Sequence, residues 1–133
     1  MQFGLYLRSF LTDRTRSFQE QLADVIELCH VARDSGFSAV SMPQHWVSYP
    51  TTWPQPFQML ARLAPETGNM RLMTGIVLLP LHKPLDVAEQ FATLDVMTGG
   101  KVIFGTGIGY RDVEFKAFGT TRSEAARRFE ENL

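Results

Sequence analysis

His45 is the residue with the clearest chemical potential. It lies in the proline- and aromatic-rich stretch from Pro43 to Pro56 that follows Ala39 to Met42, a short apolar run with strand character. An imidazole is the side chain best suited to moving protons near neutral pH. In parallel α/β folds ligands gather at the carboxyl ends of strands, where His45 is predicted to lie. The sequence leaves two roles open for it: general acid/base work, or a hydrogen bond to a loop carbonyl. Trp46, Tyr49 and Trp53 share this loop with Pro50 and Pro54. They could wall a pocket for a planar ligand or pack the loop onto its own sheet.

The second chemically suggestive segment is Thr74 to Tyr110, which reads as strand, helix and strand. Gly75 interrupts the apolar run Met70 to Leu79, and a glycine inside a strand pattern marks a bulge or a close backbone approach. Gly105, Gly107 and Gly109 alternate after the apolar run Lys101 to Phe104. Their spacing, G-x-G-x-G followed by the polar stretch Tyr110 to Glu114, lacks the helix that a dinucleotide fingerprint requires. A phosphate loop and a nucleophile elbow are absent from the sequence. The three histidines are scattered, without H-x-H or HExxH spacing and with a single cysteine, so no metal site is expected. His30 reads as structural beside Cys29, and turn geometry accounts for His82 between Pro80 and Pro84.

These residues need elements to position them. A strand is predicted over 3–8, then a polar loop and a helix from Phe18 to Asp34 opened by a Ser17/Glu20 capping box and closed at Gly36. A strand follows over Ala39 to Met42. A second helix opens at Pro56 and breaks at Gly68-Asn69. The strand 70–79, a helix from Leu85 to Thr98 and the strand 101–104 come next, and a last helix begins at the Thr121/Glu124 capping box. This βαβαβαβ order, with connections long enough for right-handed crossovers, specifies a parallel sheet. Such sheets are seldom left open on one face. Two completions stand: a doubly wound sheet, or half of a (β/α)₈ barrel, which typically takes about 250 residues.

Composition narrows the functional classes. Of 133 residues, 44% are apolar and 20% charged, as in an ordinary globular domain. The net charge of −1 and the absence of a basic stripe argue against nucleic acid as a partner. Neither a membrane span nor a signal peptide is indicated. The lone Cys29 excludes an intramolecular disulfide and fits a cytoplasmic setting.

The run Thr74-Gly75-Ile76-Val77, Leu79-Pro80, Pro84, Ala88-Glu89, Thr93-Leu94-Asp95, Gly99-Gly100-Lys101, Phe104-Gly105, Gly107, Gly109, Glu114-Phe115 and Phe118-Gly119 resembles the bacterial-luciferase-like superfamily. Those proteins are flavin- or deazaflavin-dependent oxidoreductases and monooxygenases on a TIM-type (β/α)₈ barrel. The resemblance covers residues 1–133 as the N-terminal half of that barrel, about four βα units. It implies a non-proline cis peptide at Gly75-Ile76 that supports the cofactor ring, with Thr74 beside it. Gln44-His45 is similar to a pair at the end of strand two whose histidine enters the catalytic pocket; Gln44 replaces the usual acid. Gly107, Ile108 and Tyr110 resemble the segment bordering the cofactor, and Gly107 stands where light-emitting members carry a reactive cysteine, so luminescence is not implied. Arg127 is similar to an arginine that approaches the cofactor in some members.

The resemblance implies reduced FMN acting with O₂ on an organic substrate, a flavin reductase as supplier, and a homo-oligomer when full length. Coenzyme F420 with hydride transfer is the alternative cofactor, and a non-catalytic flavin-binding subunit is the alternative role. Because this length is short of a barrel, the chain is expected to be a fragment that binds cofactor poorly alone.

Overall fold

The computed structural model describes residues 1–8, 13 and 15–133. Strands β1 (Gly4–Tyr6), β2 (Ala39–Met42), β3 (Arg71–Thr74), β4 (Val77–Leu78), β5 (Val102–Ile103) and β6 (Thr106–Gly107) alternate with helices α1 (Phe18–Asp34), α2 (Pro56–Leu63), α3 (Pro84–Thr98), α4 (Asp112–Ala117) and α5 (Ala125–Asn132). Single 3₁₀ turns occupy Ala64–Glu66, Leu79–Leu81 and Arg122–Glu124. The polar loop expected after β1 falls partly outside the described residues.

Register explains where the core lies. The main sheet is parallel in the order β1-β2-β3-β5. Leu5 faces Val40, Val40 faces Leu72, and Leu72 faces Val102. This row packs against Cys29 of α1, Leu60 and Leu63 of α2, and Val87 and Leu94 of α3. Alternate strand residues point to the opposite face, so Tyr6, Ser41, Met73 and Ile103 form a second row in register on the side away from the helices.

Local signals account for the helix ends. The Ser17/Glu20 capping box is present in both directions: the Glu20 amide donates to Ser17 Oγ at 3.2 Å and the Ser17 amide donates to Glu20 Oε2 at 2.6 Å. Gly99, at φ 70°, adopts the left-handed conformation at the end of α3, which glycine accepts without a Cβ clash.

Two expectations require correction. The run 70–79 is not one strand: β3 ends at Thr74, the Gly75-Ile76 peptide is cis, and β4 resumes at Val77 in a separate two-stranded sheet with β6. Alternation cannot reveal such a break, because both halves are equally apolar. The polar stretch at Tyr110 to Glu114 does enter a helix, α4, whose apolar face is supplied by Phe115, 1% exposed, one residue beyond the window that argued against it.

Cys29 is fully buried, and burial, with the nearby Glu66 charge, pushes its thiol up to about 11. At pH 8 only about one such thiol in a thousand is thiolate, the reactive form. Native Cys29 is therefore expected to resist dithionitrobenzoate until denaturant is added. Rapid modification of this thiol in the folded protein would contradict the packing of α1.

Candidate active site

A cavity of about 360 Å³ opens at the carboxyl ends of the strands, lined by Tyr6, Pro43, Gln44, His45, Gly75, Ile76, Leu78, Ile108, Gly109 and Tyr110. Each strand end delivers part of it: Tyr6 closes β1, Gln44 and His45 follow β2, Gly75-Ile76 joins β3 to β4, and Ile108 to Tyr110 follow β6. One larger groove of about 610 Å³ and two smaller ones lie elsewhere, but none of their lining residues belongs to this cluster.

The floor is built by close backbone approaches. The Gly75 amide donates to Met42 O at 2.8 Å. A Cβ on Gly75 would lie 2.1 Å from Ser41 Oγ, one on Gly105 would lie 2.0 Å from the carbonyl oxygen of Thr74, and one on Gly107 would meet the Ile76 side chain at 2.3 Å. Only glycine fits at these three positions with the neighbours where they are. Thr74, fully buried, uses its hydroxyl on Gly105, donating to its carbonyl at 2.8 Å and accepting from its amide at 2.9 Å. It is a support beneath the shelf.

His45 is fixed from behind. Its Nδ1 lies 3.0 Å from Oε1 of Glu114, a residue with no exposed surface. A carboxylate only accepts hydrogen bonds, so Nδ1 carries the proton and Nε2 is the nitrogen left for a ligand. The same oxygen accepts from the Trp46 amide at 2.9 Å and from Arg111 Nη1 at 3.1 Å. Arg111 Nη1 also reaches Trp46 O at 3.0 Å and Ser48 Oγ at 2.8 Å, tying the His45 loop to α4. Glu114 Oε2 and Trp46 Nε1 are buried without a hydrogen-bond partner among the described residues. Trp53 presents its ring edge-on to His45 at 4.7 Å and Tyr110 does so at 6.1 Å, whereas Trp46 turns inward onto Phe118 at 5.0 Å.

Of the residues singled out in the sequence, His45, Gln44, Gly75, Ile76, Ile108 and Tyr110 meet at this cavity. Gly107 stands behind it, pairing with Leu78 and backing Ile76. Arg127 is not brought to the cavity lining: it is exposed on α5 and paired with Glu131 at 3.0 Å. Arg111 was not singled out and Glu114 figured only in the run that carries the resemblance, with no role at the site, although an acid and a base three residues apart beside Phe115 and Phe118 carried the signal of an ion pair on a helix turn.

The fit to a flavin-type ring can be judged from the lining. The set contains no carboxylate, and a floor of Gly75-Ile76 faced by Tyr110 and His45 suits a flat, largely uncharged ring. The set offers no lysine or arginine for a phosphate, so it fits the ring end of such a cofactor and not its phosphate end.

Residues 1–133 match the family of luciferase-like monooxygenases. The chain belongs to this family. It is 28% identical over 116 residues to the oxygenase component of the flavin-dependent trigonelline monooxygenase of Acinetobacter baylyi, covering 87% of this chain and 32% of that protein. The monooxygenase RslO1 of Streptomyces bottropensis superposes with a TM-score of 0.88 at 30% identity, over 99% of this chain and 40% of that one. The oxygenating constituent of 3,6-diketocamphane monooxygenase of Pseudomonas putida, solved with FMN, superposes equally well, TM-score 0.88, at 20% identity over 99% of this chain and 37% of that one; this likeness is one of fold. The chain thus spans about a third to two fifths of the lengths of these relatives, and its fold is that of the N-terminal half of their barrel. Among the described residues no helix is long and apolar enough to cross a membrane, and no group of three or more His, Cys, Asp or Glu could hold a metal ion.

Proposed function

We propose that this chain supplies the ring-binding half of the active site of a flavin-dependent monooxygenase, working on a small organic substrate with reduced FMN and O₂. The observation that carries this reading is the cavity itself: a glycine-built floor at the strand ends faced by a histidine whose rear nitrogen is held by a buried carboxylate. Bound reduced flavin would supply the electrons and the means of activating O₂. Gly75 and Ile76 would support the ring, Ile108 and Tyr110 would border it, and His45 Nε2 would exchange a proton with the reacting species while Glu114 steadies the imidazolium. Trp53 and Tyr110 would keep water from the imidazole. A separate reductase as flavin supplier, a homo-oligomeric full-length protein and a cytoplasmic setting belong to the same proposal, the last supported by the single, buried thiol.

The test is titration of the full-length protein with FMN and with coenzyme F420, followed by fluorescence, and then O₂ consumption with reduced FMN. Quenching of FMN with flavin-dependent O₂ uptake is expected. Binding of F420 alone would turn the reading to hydride transfer; FMN binding with no turnover on any substrate would turn it to a non-catalytic flavin carrier. Quenching of neither cofactor would overturn it.

A further inference from the structure

We infer that Gln44 is a positioning residue: its neutral side-chain amide locks the shelf strand β4, the His82 ring and the backbone of His45 into one hydrogen-bonded unit of fixed spacing. Gln44 is 3% exposed. Its Oε1 accepts from the Leu78 amide at 2.8 Å and lies 3.0 Å from His82 Nε2. Its Nε2 donates to Gln55 Oε1 at 3.0 Å, and Gln55 Nε2 donates to His45 O at 3.4 Å.

The direction of this chain is forced by its two ends. The Leu78 N–H can only donate, so the Gln44 atom facing it is the oxygen. The His45 carbonyl can only accept, so the Gln55 atom facing it is the nitrogen. Each amide in between is thereby oriented, and His82 Nε2 must carry a proton because both lone pairs of Gln44 Oε1 are then used as acceptors. One neutral amide reaches three elements: β4 beyond the Gly75-Ile76 shelf, the turn after it, and the loop that aims His45.

Glutamate has the same shape but cannot take this place. Its second oxygen would face Gln55 Oε1, lone pair against lone pair; if Gln55 turned over, its oxygen would face the His45 carbonyl instead. The chain breaks at one link either way. A carboxylate 3 Å from His82 would also favour the charged ring. At present burial holds the His82 ring below its ordinary range, with Asp86 at the start of α3 acting weakly the other way. Lys83 is the adjacent charged residue in the chain; Arg128 of α5 is engaged on Pro80 O and Glu114 of α4 on the Trp46 amide.

The functional half of this inference rests on the flavin reading, and the experiment separates the two. In the full-length protein, histidine ring resonances assigned with His82→Gln would be followed from pH 5.5 to 8.5, together with exchange of the Leu78 amide. FMN affinity would be measured over the same range. In the parent, His82 is expected to titrate below the ordinary imidazole range because of its burial, and FMN affinity is expected to be flat. In Gln44→Glu, His82 is expected to titrate about one unit or more higher. FMN affinity should fall about tenfold at high pH, where the new carboxylate faces a neutral ring, and recover in part as pH drops through the raised His82 value. Adding His82→Gln should abolish that pH dependence, which a merely structural loss would not show. Gln44→Ala should speed Leu78 amide exchange about tenfold or more. Unchanged His82 titration in Gln44→Glu together with unchanged Leu78 exchange in Gln44→Ala would overturn the inference. Absence of FMN binding by the parent would instead overturn the flavin reading and leave the resonance and exchange data to decide the role of Gln44.

Discussion

Exchange of His45 for alanine is expected to lower turnover of the full-length protein about 10²- to 10⁴-fold, the usual worth of a positioned acid/base group. The reason lies in the wiring of the ring: Nδ1 is spent on Glu114 at 3.0 Å, so Nε2 is the nitrogen that exchanges protons at the cavity. Glu114→Gln keeps the volume and one acceptor oxygen but removes the charge that stabilises the imidazolium, and a loss of roughly tenfold to a hundredfold is expected. Because the two residues act as a unit, the double variant should cost little more than His45→Ala alone. Glu114→Ala is a different experiment. It strips the acceptor from the Trp46 amide and the partner from Arg111, and a stability loss of about 2–4 kcal/mol is expected from the unpaired groups left behind. Steady-state O₂ consumption and thermal unfolding read these outcomes. Turnover of His45→Ala within about threefold of the parent would remove His45 from the proton path.

What could be read in advance follows from which physical signals are local. The Ser17/Glu20 box and the glycine at the end of α3 announce helix termini through contacts between near neighbours, so the ends of α1 and α3 were legible to within about one residue. The break between β3 and β4 was not legible from alternation, since Leu72, Val77 and Leu78 are all buried and the sheet they join is decided by partners about thirty residues away. Gly75 inside the apolar run marked a bulge or close approach, and resemblance to a family, not periodicity, placed the cis peptide at Gly75-Ile76.

The site was half visible for the same reason. A histidine after a strand can be located from sequence; the residue that grips it from 69 positions away cannot. Glu114 looked like one more polar residue in a polar stretch, and only the burial of Phe115 beside it turns that stretch into a helix aimed inward. Arg127 was named only through the resemblance, and in this structure α5 presents it outward to Glu131 while Arg128, its neighbour, turns in to Pro80. One helical residue rotates the side chain by about 100°, enough to exchange pocket for solvent.

The second large effect concerns the floor of the cavity. Gly75→Ala places a methyl group 2.1 Å from Ser41 Oγ, where no pair of such atoms can sit, and the next neighbours are Ser41 Cβ at 3.5 Å and Tyr6 Cε2 at 3.6 Å, which are ordinary contacts. The clash is therefore with one atom. Overpacking of this kind costs about 1–3 kcal/mol, and because Ser41 lies in register with Tyr6 and Met73 beneath the shelf, relief by movement would tilt the surface on which the flavin ring is proposed to rest. The single variant is expected to lose about 1–3 kcal/mol of stability and at least tenfold in FMN affinity. Ser41→Ala alone removes a hydroxyl that makes no hydrogen bond among the described residues and should be nearly silent. Combined with Gly75→Ala it removes the clashing atom, so the double variant should regain most of both losses, a coupling between contacting residues well outside additivity. Equal losses in the single and double variants would show that the cavity floor is not set by this contact. The same logic does not extend to Gly105, where the obstructing atom is the backbone oxygen of Thr74 at 2.0 Å: no side-chain exchange can remove it, and alanine there should have no such rescue.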